Sequence, residues 1–216
     1  MFLSTALFNQ VAETDPHVFD GVDYVSFGGE RCSLNAINKV LENNTKIRLV
    51  NLYGPTETSI YVTREIYERP QKNVTIGFPN RNTTIHILNG NRECSIGMVG
   101  ELCVCGVQVA AGYINERINE KFVDSPFDNG RMYRTGDFAR WNLDGSIEYI
   151  GRVDNQIKLH GYRIELNEVE AAIQQIKGVT ASAVKLFKQS NDDIMVGYFT
   201  SDNDLDENSV LEALMK

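Results

Sequence analysis

Asp137 and Arg152, both within the stretch YRTGDFARWNLDGSIEYIGR at positions 133–152, are the side chains whose types and spacing state a chemistry most directly. Asp137 follows Gly136, and a turn in which glycine takes positive φ presents a carboxylate outward instead of burying it in a strand ladder. The run Asn142-Leu143-Asp144-Gly145 then returns the chain antiparallel. Residues 146–150 alternate as a half-buried strand and end at Gly151-Arg152, which sets a guanidinium near the carboxylate's edge of the sheet. A carboxylate only accepts hydrogen bonds and suits a sugar diol, while a guanidinium fork suits a phosphate. A surface ion pair between the two is the plainer alternative, worth only about 0–1 kcal/mol.

The elements that must hold these groups follow from the hydrophobic pattern. An apolar helical stretch over residues 4–12 leads to a strand at 22–27 that ends in Gly28-Gly29-Glu30. Ser33 caps a helix with Ile37, Val40 and Leu41 at helical spacing, and residues 47–52 form a second strand followed by a polar loop over 53–58. This α/β alternation predicts a mostly parallel sheet with its ligand beyond the strand ends. From about residue 76 the pattern changes to short strands at 84–88, 101–105 and 138–141, the mark of a small barrel or β-subdomain. After Arg152 come a strand at 156–159, a helix opened by Asn167 with Glu170 completing a capping box, strands at 181–187 and 194–200, and a last helix from 207.

Composition bounds the partners. The 216 residues are 42% hydrophobic and 9% aromatic, enough for a real core. With 21 basic against 29 acidic residues the net charge is −8, which argues against nucleic acid or an anionic membrane as main partner. No apolar run approaches the roughly 20 residues of a membrane helix, and Met1-Phe2-Leu3 lacks a basic signal start, so a cytoplasmic location is expected. Cys103 and Cys105 share one face of a strand, but no second pair completes a zinc site. All four cysteines therefore read as free thiols in a reducing compartment. His17 and His86 lack acidic or nucleophilic neighbours in sequence, which leaves a catalytic triad without support.

The blocks YRTGDFARW and GRVDNQIKLHGYRIELNEVE, with NLYGPTETS at 51–59 and GELCVCGVQVAAGYINE at 100–116, resemble the adenylation domains of nonribosomal peptide synthetases. That family is part of the adenylate-forming superfamily, with acyl-CoA ligases and luciferases. The resemblance covers residues 2 to about 214 but only the later part of such a domain. It implies an α/β fold in two pieces. Residues 1–153 are the end of the large core, an α/β sheet portion over 1–75 and a β-barrel-like portion over 76–153. Residues 154–216 are a truncated α+β lid that turns about a hinge at Asp154.

The resemblance also implies a reaction: a carboxylate is joined to the α-phosphate of ATP with release of pyrophosphate. It places Gly29, Tyr53, Gly54, Thr56, Asp137, Tyr149 and Arg152 about the nucleotide, with Asp137 on the ribose hydroxyls, Tyr53 beside the adenine and Thr56 on phosphate. Glu57, a carboxylate beside a polyphosphate, would be repelled unless a divalent cation bridged them, so it implies Mg²⁺. Phe2, Ser26, Gly28, Leu52, Ile60 and Tyr61 would wall the pocket of a mid-sized, largely apolar amino acid, the alternative being simple core packing. The partners implied are a phosphopantetheine-bearing peptidyl carrier domain and a condensation domain of the same assembly line.

The sequence departs from the family where Lys158-Leu159-His160-Gly161 replaces Lys-x-Arg-Gly, and His160 reads as a loop substitution, not a base. Gly100-Glu101 and residues 110–113 read as structural, with Gly112 relieving a turn. The resemblance implies that a phosphate loop, the substrate-gripping Asp and the terminal catalytic lysine of the family fall outside this stretch. Loss of one such charge-neutralising group costs roughly 10²–10³ in rate, so the chain alone is expected to adenylate nothing detectable. The alternatives are an acyl-CoA or aryl-acid ligase of the same superfamily, or a noncatalytic remnant that binds a carrier domain.

Overall fold

The computed structural model describes residues 1–114, 120–152, 156–159, 162–187, 193–202 and 205–215. Asp154 and His160, the expected hinge and the loop substitution, lie outside them. The chain divides into two compact units, Met1–Val153 and Asp154–Lys216.

Among the described residues of the first unit, one sheet has five strands in the order β1-β2-β3-β4-β5. These are β1 (Phe2–Ser4), β2 (Tyr24–Gly28), β3 (Arg48–Tyr53), β4 (Thr63–Tyr67) and β5 (Phe78–Pro79). The first three run parallel because α1 (Thr5–Thr14) and α2 (Leu34–Asn43) cross back between them, and β4 and β5 turn antiparallel. Ser4 and Ser33 start the helices as expected, accepting the amide hydrogens of Leu7 and Ala36. Both helices cover the same sheet face. Phe8 and Ala12 of α1, Ile37, Val40 and Leu41 of α2, and Val25, Phe27 and Leu49 of the strands form one buried cluster, with the Phe8 and Phe27 rings stacked 4.1 Å apart. Burial of each such large side chain stabilises the unit by about 1.5–3 kcal/mol. Strand side chains alternate, so Ser26 and Leu52 point to the opposite face.

The second sheet is an antiparallel half-barrel of six strands in the order β11-β10-β8-β6-β7, with β9 also on β10. Its members are β6 (Thr83–Asn89), β7 (Arg92–Glu93), β8 (Gly100–Gly106), β9 (Phe122–Asp124), β10 (Arg131–Trp141) and β11 (Ile147–Arg152). Val62, Ile76, Ile85, Ile87, Leu102, Val104, Ala139 and Ile147 form its core, with Tyr53, Trp141 and Tyr149 packed at the margin. The 142–145 turn forms as expected, Gly145 taking φ +82° and donating to the Asn142 carbonyl at 3.1 Å.

Strand β10 overturns one expectation. It runs unbroken from Arg131 to Trp141, so Gly136-Asp137 is not a turn that exposes a carboxylate. Gly136 takes φ +75° inside the strand, and the register against β8 shifts between Arg134 and Phe138. The glycine absorbs a β-bulge, and Asp137 ends up only 5% exposed.

Among its described residues the second unit has two antiparallel strand pairs, β12 (Gln156–Leu159) with β13 (Tyr162–Glu165) and β14 (Val179–Phe187) with β15 (Ile194–Ser201), and two helices, α3 (Leu166–Gln174) and α4 (Glu207–Leu214). Leu166, Ile173, Val184 and Val210 are its buried centre. The Asn167 capping box does not form. Glu165 is the N-cap and Asn167 lies inside the first turn, because β13 runs directly into α3. Glu170 instead accepts the Val184 amide hydrogen at 2.8 Å and ties α3 to β14. No helix among the described residues is long and apolar enough to cross a membrane.

Candidate functional site

The bulge of β10 delivers Asp137 to the margin of the half-barrel, where Arg152, Tyr149 and Tyr53 are among the described residues that converge on it. Arg152, directly opposite in the β10–β11 register, donates through Nη1 to Oδ1 at 2.9 Å and through Nη2 to the Thr135 carbonyl at 3.2 Å. Tyr149 donates to Oδ1 at 3.5 Å, and Tyr53 donates its hydroxyl to Oδ2. Burial, then the charge of Asp137, holds the Tyr53 phenol well above its ordinary pKa, so it stays a donor. The Tyr53 and Tyr149 rings lie 6.0 Å apart at 45°. The pair is not the surface contact weighed above, since only 16% of the Arg152 side chain and 7% of the Asp137 side chain are exposed.

Tyr53 is the last residue of β3, and the loop it opens leads to the second carboxylate. Gly54 is required there, because a Cβ would lie inside contact distance of the Ile60 carbonyl. Pro55 then caps a single 3₁₀ turn over Thr56–Thr58, with the Thr58 amide and hydroxyl both donating to the Pro55 carbonyl at 3.0 Å. Thr56 is exposed, and Glu57 is buried at 6% exposure. Tyr113 donates its hydroxyl to Glu57 Oε1 and also lies 3.4 Å from the Tyr133 hydroxyl. The Ala110 amide donates to the Glu57 carbonyl at 2.9 Å. Ser59 and Ile60 leave the turn with φ of +56° and +84°, strained for L residues and most of all for β-branched Ile60.

The expected pocket residues lie along the face of β1–β3 away from α1 and α2, Phe2 opening β1, Ser26 and Gly28 on β2 and Leu52 near the end of β3, with Ile60 and Tyr61 on the loop before β4. Phe2 pairs with Ser26 and Gly28 with Leu52 in the parallel register. A Cβ at Gly28 would sit 2.5 Å from the Leu52 carbonyl, so the gap is built into the backbone. The Phe2 and Tyr61 rings are 6.1 Å apart, while Phe2 and Ile60 are 55% and 56% exposed. Gly29, exposed at φ +105°, ends the β2 edge. Tyr53 joins this wall to Asp137, since it follows Leu52 in the chain and donates to the carboxylate.

A cavity of about 390 Å³ lies elsewhere, lined by Glu65, Asn73, Phe78, Asn142 and Asp144 among others, and contains none of these residues. The expectation that the histidines lack acidic neighbours fails for the two that are described: His17 Nδ1 lies 3.2 Å from Asp20, three positions along the chain, and His86 Nδ1 lies 2.6 Å from Glu93 across the β6–β7 pair. Cys32, Cys103 and Cys105 are buried free thiols, and burial pushes that of Cys103 up to about 12.

Sequence reasoning missed Tyr113 and the bonds that hold the bulge. Tyr113 sits in the block that read as purely structural, where Gly112 does take φ +142°. The signal available was a tyrosine directly after that glycine, a phenol set where the chain bends.

Comparison with known proteins decides the family. Residues 1–114 match the family model described as AMP-binding enzyme. The chain belongs to the AMP-binding enzyme family. Within it, the sequence is of the nonribosomal peptide synthetase adenylation type. It is 40% identical over 222 aligned residues to tyrocidine synthase 3 of Brevibacillus parabrevis, covering 100% of this chain and 3% of that one. PA1221, an NRPS protein containing adenylation and PCP domains, superposes with a TM-score of 0.87 at 27% identity over 98% of this chain and 45% of that one. The o-succinylbenzoate CoA synthetase MenE of Bacillus subtilis shares the fold, with a TM-score of 0.84 at 19% identity over 98% and 43% of the two chains. This AMP-binding chain thus spans under half the length of the relatives it matches.

Proposed function

We propose that this chain serves ATP-dependent activation of an amino acid in nonribosomal peptide synthesis. The observation that supports the reading best is the convergence of Tyr53, Tyr149 and Arg152 on the buried carboxylate of Asp137, one loop away from Glu57. In the proposed reaction a carboxylate oxygen of the amino acid attacks the α-phosphorus of ATP, and the bond to the bridging oxygen breaks to release pyrophosphate. The sulfur of a carrier-bound phosphopantetheine then attacks the acyl carbon and AMP leaves.

Each residue has a role that its chemistry allows. Asp137 accepts the ribose hydroxyls and Arg152 holds its carboxylate ionised and aimed. Tyr53 and Tyr149 offer aromatic faces for the base. Thr56 offers an exposed hydroxyl to phosphate. Phe2, Ser26, Gly28, Leu52, Ile60 and Tyr61 would contact the amino-acid side chain. Among the described residues no group of three or more His, Cys, Asp or Glu could hold a metal alone. That fits Mg²⁺, which binds through one or two carboxylates with phosphates and waters as its other ligands. Glu57 would hold it, and the ion would neutralise the polyphosphate charge. Asp154 is proposed as the hinge, with peptidyl carrier and condensation domains as partners.

Amino-acid-dependent exchange of labelled pyrophosphate into ATP by the gene product that carries this chain tests the reading. Exchange with an amino acid and loading of a carrier thiol are expected. Exchange that depends instead on an aryl or fatty acid, followed by thioester formation on free coenzyme A, would replace it with the acyl-CoA ligase reading, which the MenE likeness keeps in view.

A further inference from the structure

We infer that Glu101, together with Arg134, is a positioning residue for Asp137 and sets nucleotide affinity through the β10 bulge without touching the ligand. The inference rests on the reading of Asp137 as the acceptor for the ribose hydroxyls.

The bulge interrupts the ladder. Between Arg134, opposite Cys103, and Phe138, opposite Glu101, the register of β10 on β8 shifts, so three residues of β10 span the length of one on β8. Side chains replace the missing ladder bonds. Glu101, on β8, divides its carboxylate: Oε1 accepts the Gly136 amide hydrogen at 3.1 Å, and Oε2 accepts Arg134 Nε at 3.0 Å and Nη2 at 2.6 Å. Thr135 completes the frame, donating its hydroxyl to the Leu102 carbonyl at 2.7 Å and accepting the Asp137 amide hydrogen at 3.0 Å.

Geometry makes Glu101 the controlling member. Gly136 sits at φ +75°, and the orientation of its peptide planes decides where the next Cα–Cβ bond points. That next residue is Asp137. A carboxylate is a strong acceptor for an amide, and the Arg134 guanidinium fixes the carboxylate's own orientation through two nitrogens on one oxygen. The pair is half-sheltered, with 26% of the Arg134 and 17% of the Glu101 side chain exposed. Glu101 is held from one side by Arg134 and holds the bulge on the other, which is the arrangement by which outer partners orient the groups that touch a ligand.

The test is a double-mutant cycle in the gene product that carries this chain. ATP and 2′-deoxy-ATP affinities are read by calorimetric titration and folding by thermal melting. Glu101→Ala is expected to weaken ATP binding about tenfold, the lower end of what loss of an outer orienting partner costs, and to shrink the preference for ATP over 2′-deoxy-ATP. Glu101→Gln, which keeps an oxygen for the Gly136 amide, recovers part of that loss and carries the test if the alanine variant does not fold. In an Asp137→Ala background, Glu101→Ala is expected to add nothing. Wild-type ATP affinity in Glu101→Ala, or the same fold-loss in both backgrounds, would overturn the inference while leaving the ribose reading standing. Wild-type affinity in Asp137→Ala alone would instead sink the ribose reading and the inference with it.

Discussion

Arg152 and Asp137 face each other across the β10–β11 register, and the guanidinium closes on the carboxylate at 2.9 Å with 16% and 7% of the two side chains exposed. Two consequences follow from that one distance. The pair compensates a charge that the bulge has pulled out of water, and it presents an ionised acceptor at the end of a tyrosine-lined margin. On the proposed reading of Asp137 as the ribose acceptor, stability and binding are therefore coupled at this residue, although the turn expected from sequence would have kept them apart.

Asp137→Ala is expected to weaken ATP binding by at least about tenfold and also to lower stability by about 1–3 kcal/mol. Breaking a fully buried pair costs about 3–5 kcal/mol, and the partial exposure of Arg152 reduces that figure. Asp137→Ala with Arg152→Leu should regain part of the stability, because no unpaired charge remains, and none of the affinity. Thermal melting and calorimetric titration of the three variants check both halves. A wild-type melting temperature in the single variant would contradict the compensated pair.

Tyr113→Phe should destabilise the Met1–Val153 unit by about 1–3 kcal/mol, because Glu57 is buried and would lose a hydroxyl donor to its carboxylate. Glu57→Gln removes the charge and should cost less in stability. It should, however, abolish the Mg²⁺ dependence of nucleotide binding. Urea unfolding and a magnesium titration separate the two effects. An unchanged urea midpoint in Tyr113→Phe would remove the phenol from the account.

Legibility in the sequence varied with range. The helix starts at Ser4 and Ser33, the 142–145 turn and, to within one residue, the strand ends at Gly28 and Tyr53 were readable because each is set by neighbours a few positions away. The bulge at Gly136 was not, since a glycine with positive φ serves a turn and a bulge equally well. Only the pairing of β10 with β8 and β11 on its two sides decides between them. The Asn167 capping box failed for a related reason. Its spacing was right, but β13 leads into α3 without a gap, and Glu170 found a better partner in the Val184 amide of another strand. Tyr113 reaches Glu57 from 56 positions away, a contact that no local pattern encodes.

Gly54→Ala tests the loop that carries Thr56 and Glu57. The added methyl group would meet the Ile60 carbonyl and the Val62 amide, both backbone atoms that cannot swing aside. Either β3 and β4 separate at their ends or the 3₁₀ turn reforms elsewhere. A loss of more than about 2 kcal/mol is expected, in the range of overpacking in a fixed site. Hydrogen exchange should show faster opening of the Val62 amide, which donates to the Tyr53 carbonyl at 2.8 Å. Native exchange protection in the variant would show that the loop tolerates a side chain.

The buried thiols give a prediction with a definite sign. Burial raises Cys103 from its ordinary 9.0 to about 12, and raises Cys32 and Cys105 as well. Between pH 9 and 12 the folded chain keeps a proton on Cys103 that the unfolded chain has released, so the native state binds more protons and stability falls as pH rises. Below about pH 9 both states hold the proton and this contribution is constant. Above it the loss is at most about 1.4 kcal/mol per pH unit for each such thiol. Chemical labelling at pH 8 should accordingly modify half-buried Cys94 in the folded chain, and Cys32, Cys103 and Cys105 only after denaturant is added. Rapid labelling of Cys103 in the native chain would mean that the β6–β8–β10 sheet opens far more readily than its packing against Leu88 and Met132 allows.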